Sequence, residues 1–381
     1  MSTRGLSRGG TRAIMVPWIQ ALGMSSPLGT LVQGCAAIRA GLSSARPSPY
    51  LSHVGEGESL AQPVMTSEAS LVTLGFSNVG RLVALLVEAL EDLSRRVSLS
   101  TMPADTLLFV AMPDPVERGI PLSPELEADP FRRCEALGRR VMERALDGVG
   151  VTWRGGAWHF FSAGHAGFAQ ALKAATNALA ERRCGNCLVV AVDSLCGPDV
   201  LPEFSVQRRL KTSDTPTGFI PGEGGVALWL TGRSASVSPS GPEPRITLRA
   251  VMLGEDDARF RGATLPPDGR TLAACVTSAL RMAGGDGSRL VLVGDHNGEE
   301  YRAREWGMML MHLHSERLGQ ETQVSWFPAE GFGDTGAASG ALGLCVAVRS
   351  LQRRYSPSPM PVVLSISDEG PRAAMVVSVA T

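Results

Sequence analysis

One stretch, AWHFFSAGHAGFAQALKAATNALAERRCGNCLVVAVD over residues 157–193, constrains what this chain can fold into more than any other. It predicts an apolar strand at 158–161, a Ser-Ala-Gly turn, a helix from about 165 to 182 and a second buried strand at 188–192. Phe168, Leu172, Ala175 and Leu179 recur at helical spacing along one face, while Ala169, Ala171, Ala174 and Ala178 cover the rest. A helix that is small or apolar nearly all round belongs inside a larger core. Its first turn is then a buried positive dipole end, where a fold can aim backbone N–H groups at a nucleophile, an anion or an oxyanion. His165 sits there, behind Gly164. It reads either as a satisfied core or cap histidine after a tight turn, or as a reacting group.

Such a core needs chain, and 381 residues that are 44% hydrophobic, about two domains' worth, can supply it. Lys plus Arg number 36 against 37 for Asp plus Glu, a formal net charge of −1. With no basic block and few aromatics, the footprint of a nucleic-acid binder is missing. No window reaches the ~18 uncharged apolar residues of a membrane span. The N-terminal MSTRGLSRGGTR carries three arginines but no apolar run of signal-peptide length, since Pro17 and Gln20 interrupt the apolar residues beyond it. Residues 1–11 are expected to form a disordered tail on a cytoplasmic protein. Seven scattered cysteines make no disulfide framework, and the odd count implies reduced thiols. Cys184 and Cys187 form a single CxxC with no second pair to complete a zinc set. A redox CxxC opens a helix, whereas this one follows a helix and enters a strand, so buried or turn thiols are expected. No metal or other cofactor is expected.

Strands and helices alternate around this centre. A strand at 14–19 precedes SSPLG and a helix at 30–40 with Leu31, Cys35 and Ile38 on its apolar side; 43–71 reads as loop, with Pro47 and Pro49. A periodic helix at 79–97, a strand at 107–112 and a helix at 131–146 lead into the central stretch, and a helix near 200–210 and a strand at 225–230 come after it. Beyond a Ser/Pro/Gly-rich connector come a strand at 246–252, a helix at 272–282, a strand at 290–293, a helix at 299–318, a small-residue helix ending near 349, and paired strands at 362–366 and 374–379. Two halves of like pattern, 12–231 and 245–381, joined by a linker at 232–244, imply an internally duplicated α/β fold whose sheets sandwich buried helices. The two Gly/Ala-rich helices, one per half, fit the middle layer, because close helix packing needs small side chains.

Four segments carry a more specific likeness. SSPLG (25–29), AVDS (191–194), GFIPGEGGVALWLT (218–231) and GDTGAASGALG (333–343) resemble, in order, the β-ketoacyl-acyl-carrier-protein synthases of the thiolase-like superfamily. That resemblance implies a five-layered αβαβα fold built from two similar halves, a dimer whose central strands pair near the buried helix, and acyl-thioester ligands. It also implies carbon–carbon bond formation, in which a cysteine at the start of the buried helix takes an acyl group and two histidines promote decarboxylation of a malonyl unit. A helix N-terminus favours thiolate, which is why such a nucleophile stands there.

The catalytic positions of the likeness are not kept. Counting back from AVDS places His165 where the cysteine should be, and a one-residue shift gives Gly164; Cys134, Cys184 and Cys187 lie on other elements or at the helix's far end. The first histidine motif corresponds to GDHNGEEYRAREW, which contains His296. The histidine of the second is replaced by Asp334. The glycine-rich turn that completes the family's oxyanion hole corresponds to SDEGPRAAM, with Asp368 at the gatekeeper phenylalanine and Pro371 removing one N–H donor.

If the resemblance holds, His165, His296, Asp295, Glu299, Arg302, Glu305 and Asp334 converge on one pocket. The catalytic candidates are His165, His296 and Asp334; Gly164, Asp295, Asn297, Glu299, Arg302 and Asp368 are candidates for holding substrate. One reading is a general acid–base site in which Asp334 orients His165 or His296. In the other, Asp334 caps the helix starting at Thr335 while Glu299, Arg302 and Glu305 form ion pairs along one helix. His312, His314, His53 and His159 offer no pattern. Two functions are consistent with these residues. The chain is a non-condensing ketosynthase homologue that binds an acyl chain or acyl carrier protein as a chain-length-factor-like partner subunit; or it is an acyltransferase, decarboxylase or thioester hydrolase using His165 with Asp334 or His296. The apolar strand 158–161 needs its outer edge covered, so a homodimer, or a heterodimer with a ketosynthase relative, is expected.

Overall fold

The computed structural model describes residues 16–232, 243–257, 260 and 266–380. The expected tail at 1–11 and nearly all of the expected linker lie outside the described residues. The strands are β1 (Trp18–Ser25), β2 (Arg46–His53), β3 (Gln62–Thr66), β4 (Leu107–Ala111), β5 (Trp158–Phe161), β6 (Asn186–Ser194), β7 (Glu223–Thr231), β8 (Ile246–Glu255), β9 (Arg289–Val293), β10 (Thr322–Trp326), β11 (Val362–Ile366) and β12 (Pro371–Val379). Ten of them run in the order β10-β9-β11-β12-β8-β1-β7-β6-β4-β5.

That order is one five-strand pattern used twice. In the first half β4 is parallel to β5 and β6, and β6-β7-β1 then alternate in direction. In the second, β9 is parallel to β10 and β11, and β11-β12-β8 alternate in the same way. The two runs join where β1 and β8 share two pairs, Trp18 with Thr247 and Ile19 with Ile246.

Side-chain alternation turns the two runs into layers. Leu108, Val110, Leu188, Val190 and Val192 face an outer core with the helices Asn78–Ser94 and Pro130–Gly148, whereas Phe109, Ala111, Cys187, Val189 and Ala191 face the inner core. In the second half Leu290 and Leu292 face outward toward the helices Arg270–Ala283 and Glu300–Ser315, and Val291 and Val293 face inward. Between the two inner faces lie the helices Gly167–Ala180 and Ser339–Gln352. The result is the expected αβαβα stack, with the small residues of both middle helices buried on nearly every side.

Both middle helices are entered through the same backbone device. Gly164 has φ 52° and Gly336 φ 51°, and each opens a single 3-10 turn, Gly164–Ala166 and Gly336–Ala338, that feeds its helix. A left-handed residue is cheap only for glycine. At Gly336 a Cβ would stand 2.1 Å from Asp193 Oδ2, so close approach excludes a side chain as well.

The structure corrects several sequence expectations. The first strand is Trp18–Ser25 rather than 14–19, residues 14 and 15 lying outside the described residues. The expected loop at 43–71 holds the β2–β3 hairpin, whose register shifts between Pro47 and Ser52; prolines are tolerated at such an irregular two-stranded edge. The helix near 200–210 is only Leu201–Val206. β10 has no counterpart among the expected elements because its sequence, TQVSW, is short and largely polar, as suits an edge strand.

Candidate active site

The entrance to the first middle helix places His165 in the interior, 7% exposed. The approach to the second places Asp334, 2% exposed, opposite it, with the main-chain bonds Asp334 N–H to Ile220 O at 2.8 Å and Gly222 N–H to Asp334 O at 2.7 Å fixing its loop. His165 Nε2 lies 2.8 Å from Asp334 Oδ1. That oxygen also accepts from Gly336 N–H at 2.8 Å, and Asp334 Oδ2 accepts from Asn297 Nδ2 at 2.6 Å. One carboxylate therefore accepts both from the helix entrance and from the imidazole.

The other face of the imidazole is covered by Arg302. Its Nη2 lies 3.2 Å from His165 Nδ1 and 3.5 Å from Nε2, nearly equidistant, which puts it against the ring and not in line with one nitrogen lone pair. Nη2 donates to Asp368 Oδ1 at 2.8 Å and Nη1 donates to Ile366 O. The guanidinium lies 3.6 Å from Glu299 and 3.6 Å from Asp295. Arg209 closes the ring of charges, donating to Glu299 at 2.7 and 2.8 Å and to Asp368 at 2.6 and 3.3 Å, while its guanidinium stacks 4.1 Å from the Phe260 ring centre. Asn297 links Glu299 back to Asp334. Two arginines and one histidine thus face four carboxylates, those of Asp295, Glu299, Asp334 and Asp368.

This charge balance sets the protonation states. Burial and Arg302 both push the His165 pKa down, but the Asp334 carboxylate outweighs them and the net shift is upward. For Asp334, burial opposes ionisation and is overcome by His165 and Arg302, which hold the carboxyl well below its usual range. Asp368 is likewise held low against its burial, by Arg302 and Arg209. Asp295 goes the other way: burial lifts it despite Arg302. Its Oδ2 accepts from Ile366 N–H at 2.7 Å and its Oδ1 has no partner among the described residues.

One backbone donor at each helix entrance, Ala166 N–H at the first and Ala337 N–H at the second, is taken up by a side chain. Ala166 N–H donates to Ser367 Oγ at 2.9 Å, and Ser367 Oγ donates to Ala163 O at 2.5 Å. Ala337 N–H donates to Asp193 Oδ2 at 2.8 Å, which Arg118 also holds. The turn after β11 is pinned to both arginines through Asp368.

Not every candidate joins the cluster. His296 is half-buried with its ring 5.3 Å from that of Phe327, makes no hydrogen bond through Nδ1 among the described residues, and has its pKa lowered by burial and by Arg302. Glu305 pairs with Arg372 at 2.6 and 2.9 Å instead of with Arg302. Gly164 supplies the turn and no polar side chain. The seven cysteines are all buried. Cys134 lies beside Ser162, with its thiol pKa raised by burial, and Cys184 and Cys187 lie with sulfurs 3.4 Å apart at the far end of the helix. No group of three or more His, Cys, Asp or Glu able to hold a metal occurs among the described residues. Arg209, Arg118 and Ser367 join the site without having been candidates from sequence. Arg209 meets partners 90 and 159 positions away, so nothing local in the sequence marks it.

No family model and no curated protein matches the sequence. Solved structures do match. A chain of the ishigamide ketosynthase/chain length factor is 16% identical with a TM-score of 0.64, covering 96% of this chain and 100% of its own length. A chain from a type II polyketide synthase acyl-carrier protein in complex with its ketosynthase is 13% identical with a TM-score of 0.71, covering 97% and 100%. A chain from a ketosynthase in complex with its chain length factor from Xenorhabdus doucetiae is 15% identical with a TM-score of 0.69, covering 96% and 98%. At these identities the likeness establishes architecture, and the architecture extends over nearly the whole chain: this protein has the thiolase-like fold of the ketosynthases and chain length factors.

Proposed function

We propose that this chain is a non-condensing ketosynthase-like subunit, chain-length-factor-like in role, that binds an acyl chain or acyl carrier protein and pairs with a second thiolase-like subunit. The observation that carries the reading is the buried His165–Asp334 pair at the helix entrance, 2.8 Å apart, where the family resemblance requires a thiol. A condensing site needs a thiolate, free N–H donors and neutral imidazoles. Here the nearest thiols are buried, Ala166 N–H is bonded to Ser367, and a carboxylate stands in place of one histidine.

Pairing is supported by β5, which ends the sheet and is bonded only to β4 among the described residues. Leu108 N–H donates to Ala157 O and Met112 N–H to Phe161 O, so alternation turns the N–H and C=O groups of Trp158 and Phe160 outward. Such an edge takes a strand from a second copy or from a relative. The enzymatic alternative, an acyltransferase, decarboxylase or hydrolase using His165, needs one imidazole nitrogen open to substrate. Nε2 is committed to Asp334, and Arg302 Nη2 stands 3.2 Å from Nδ1.

Intact mass measurement after incubation with acyl- and malonyl-carrier thioesters tests the proposal. No stable adduct and no turnover are expected, together with a dimer by light scattering or a co-purifying ketosynthase relative. A stable acyl adduct within residues 162–167, or thioester turnover lost in His165→Ala, would replace it with the enzymatic reading.

A further inference from the structure

Two cavities of about 380 and 490 Å³ share Arg39 and Tyr355 in their walls, the smaller at the C-terminal end of the helix Ser339–Gln352 and the larger beside Val346 in the middle of that helix. The larger is apolar over most of its lining, with Ile38, Leu42, Trp326, Phe327 and Val346. The smaller is lined by Arg39, Arg349 and Arg353, with Cys35 at its side. The charges there do not cancel. Arg349 Nη1 donates to both Glu243 oxygens at 2.9 and 3.0 Å, and Arg353 lies 3.8 Å from the same carboxylate. Arg39 stacks 4.3 Å from the Tyr355 ring centre and forms no ion pair among the described residues. Of the three arginines, two therefore share one carboxylate and Arg39 is paired with none among the described residues. Cys35 adds no anion, because burial pushes its thiol up to about 12. Glu330, in the wall of the larger cavity, is exposed.

We propose that this double cleft is a binding site for a single-chain fatty carboxylate. The chain occupies the Trp326–Phe327 chamber and the carboxylate is held by Arg39 with Arg349 and Arg353. Each chamber has a volume within the roughly 300–1,000 Å³ of small-molecule sites, and an apolar body beside a few convergent charges is what such sites offer. Stacking on Tyr355 fixes the Arg39 plane and leaves its edge N–H groups available to a carboxylate. The site goes beyond the partner-subunit reading and does not depend on it, since it touches neither His165 nor β5.

The test is titration of the full chain with dodecanoate below its micellar concentration, followed by calorimetry and by tryptophan fluorescence, since Trp326 lies in the chamber 6.0 Å from Tyr355. Saturable one-to-one binding is expected. Arg39→Gln, a change at an exposed side chain, should weaken it about tenfold without moving the melting temperature, the loss of one charge-assisted contact. Leu42→Trp, also exposed, should fill the chamber and abolish binding. Trp326→Phe should remove most of the fluorescence change while calorimetric binding persists. Dodecanol should bind at least tenfold more weakly and acetate not measurably. The proposal is overturned by no saturable dodecanoate binding to the wild-type chain, by equal affinity for dodecanol, or by binding that neither Arg39→Gln nor Leu42→Trp alters. None of these outcomes bears on acyl-carrier adducts or subunit pairing, so the two proposals fail separately.

Discussion

Asp334→Asn removes one charge and almost no volume, and its cost can be worked from the bonds around the carboxylate. Oδ1 receives His165 Nε2 and Gly336 N–H, both at 2.8 Å, and Oδ2 receives Asn297 Nδ2 at 2.6 Å. An asparagine keeps one acceptor oxygen and presents an NH₂ group to a donor that already points at it. A hydrogen bond to a charged group is worth ~1.5–3 kcal/mol, and removing one partner of a buried ion pair costs ~3–5 kcal/mol. His165 can relieve part of that by giving up its proton, so the net loss should be about 3 kcal/mol, read as a lowered urea midpoint with an unchanged m-value. The pH profile makes the test specific. The folded-state pKa of His165 is raised, so its contribution is complete below its ordinary value of ~6.5 and is lost as pH rises through the folded value. The folded-state pKa of Asp334 is depressed, so its contribution is present above ~3.9 and is lost as pH falls toward the folded value. The stability difference between wild type and variant should therefore be largest between about pH 4 and 6.5 and shrink on both sides. A loss under ~1 kcal/mol, or a difference independent of pH, would refute a buried His165–Asp334 ion pair.

Other perturbations address the rest of the site. His165→Cys should not create condensation activity with acyl- and malonyl-carrier substrates, because Asp334 offers a carboxylate where an imidazole donor is needed and Ala166 N–H stays bonded to Ser367; product formation measured by chromatography would contradict this. Arg209→Ala should destabilise by ~3 kcal/mol in chemical denaturation, since it takes from Glu299 the nearer of its two arginines and from Asp368 one of two, and leaves both carboxylates to Arg302 alone. Trp158→Pro should convert a dimer to monomer by light scattering with the fold kept, because the lost N–H faces away from β4 and proline is tolerated at a strand's first residue. Thiol alkylation of the native chain at neutral pH should be slow at every site, as all seven cysteines are buried, and fast labelling of any one would show that its burial is not maintained.

The layered fold was legible because its strongest signals are local. A helix such as GFAQALKAATNALA, small or apolar nearly all round, has one place to go, and the continuous apolar runs of β4 and β6 announce strands covered on both faces. What escaped is what local pattern does not encode. The β2–β3 hairpin hides behind prolines, and β10 is short and polar because it closes an edge. Of the site, His165, Asp334, Arg302, Asn297, Glu299, Asp295 and Asp368 could be named because each stands at a motif of the resemblance, and the structure brings them together. Arg209 could not be named, since it lies on no motif and its role exists only once three distant segments meet.

The charges of the cluster also depend on one another. Asp334 is held against His165 and Asp368 against Arg302 and Arg209, so two carboxylates lie in one cluster. Each buried anion must be paired or take up a proton. His165 supplies the pairing for Asp334, Arg302 and Arg209 supply it for Asp368, and Arg302 links the two by lying 3.2 Å from His165 Nδ1. Residues 165, 334 and 368 are thus coupled through one network, and removing the charge of any single one takes counter-charge from its partners. Taking the charge out of the cluster without stranding a counter-charge requires at least the simultaneous removal of Asp334 and Asp368 together with a replacement for Arg302, and Arg302 is fixed by its bond to the Ile366 carbonyl on β11 as well as by charge.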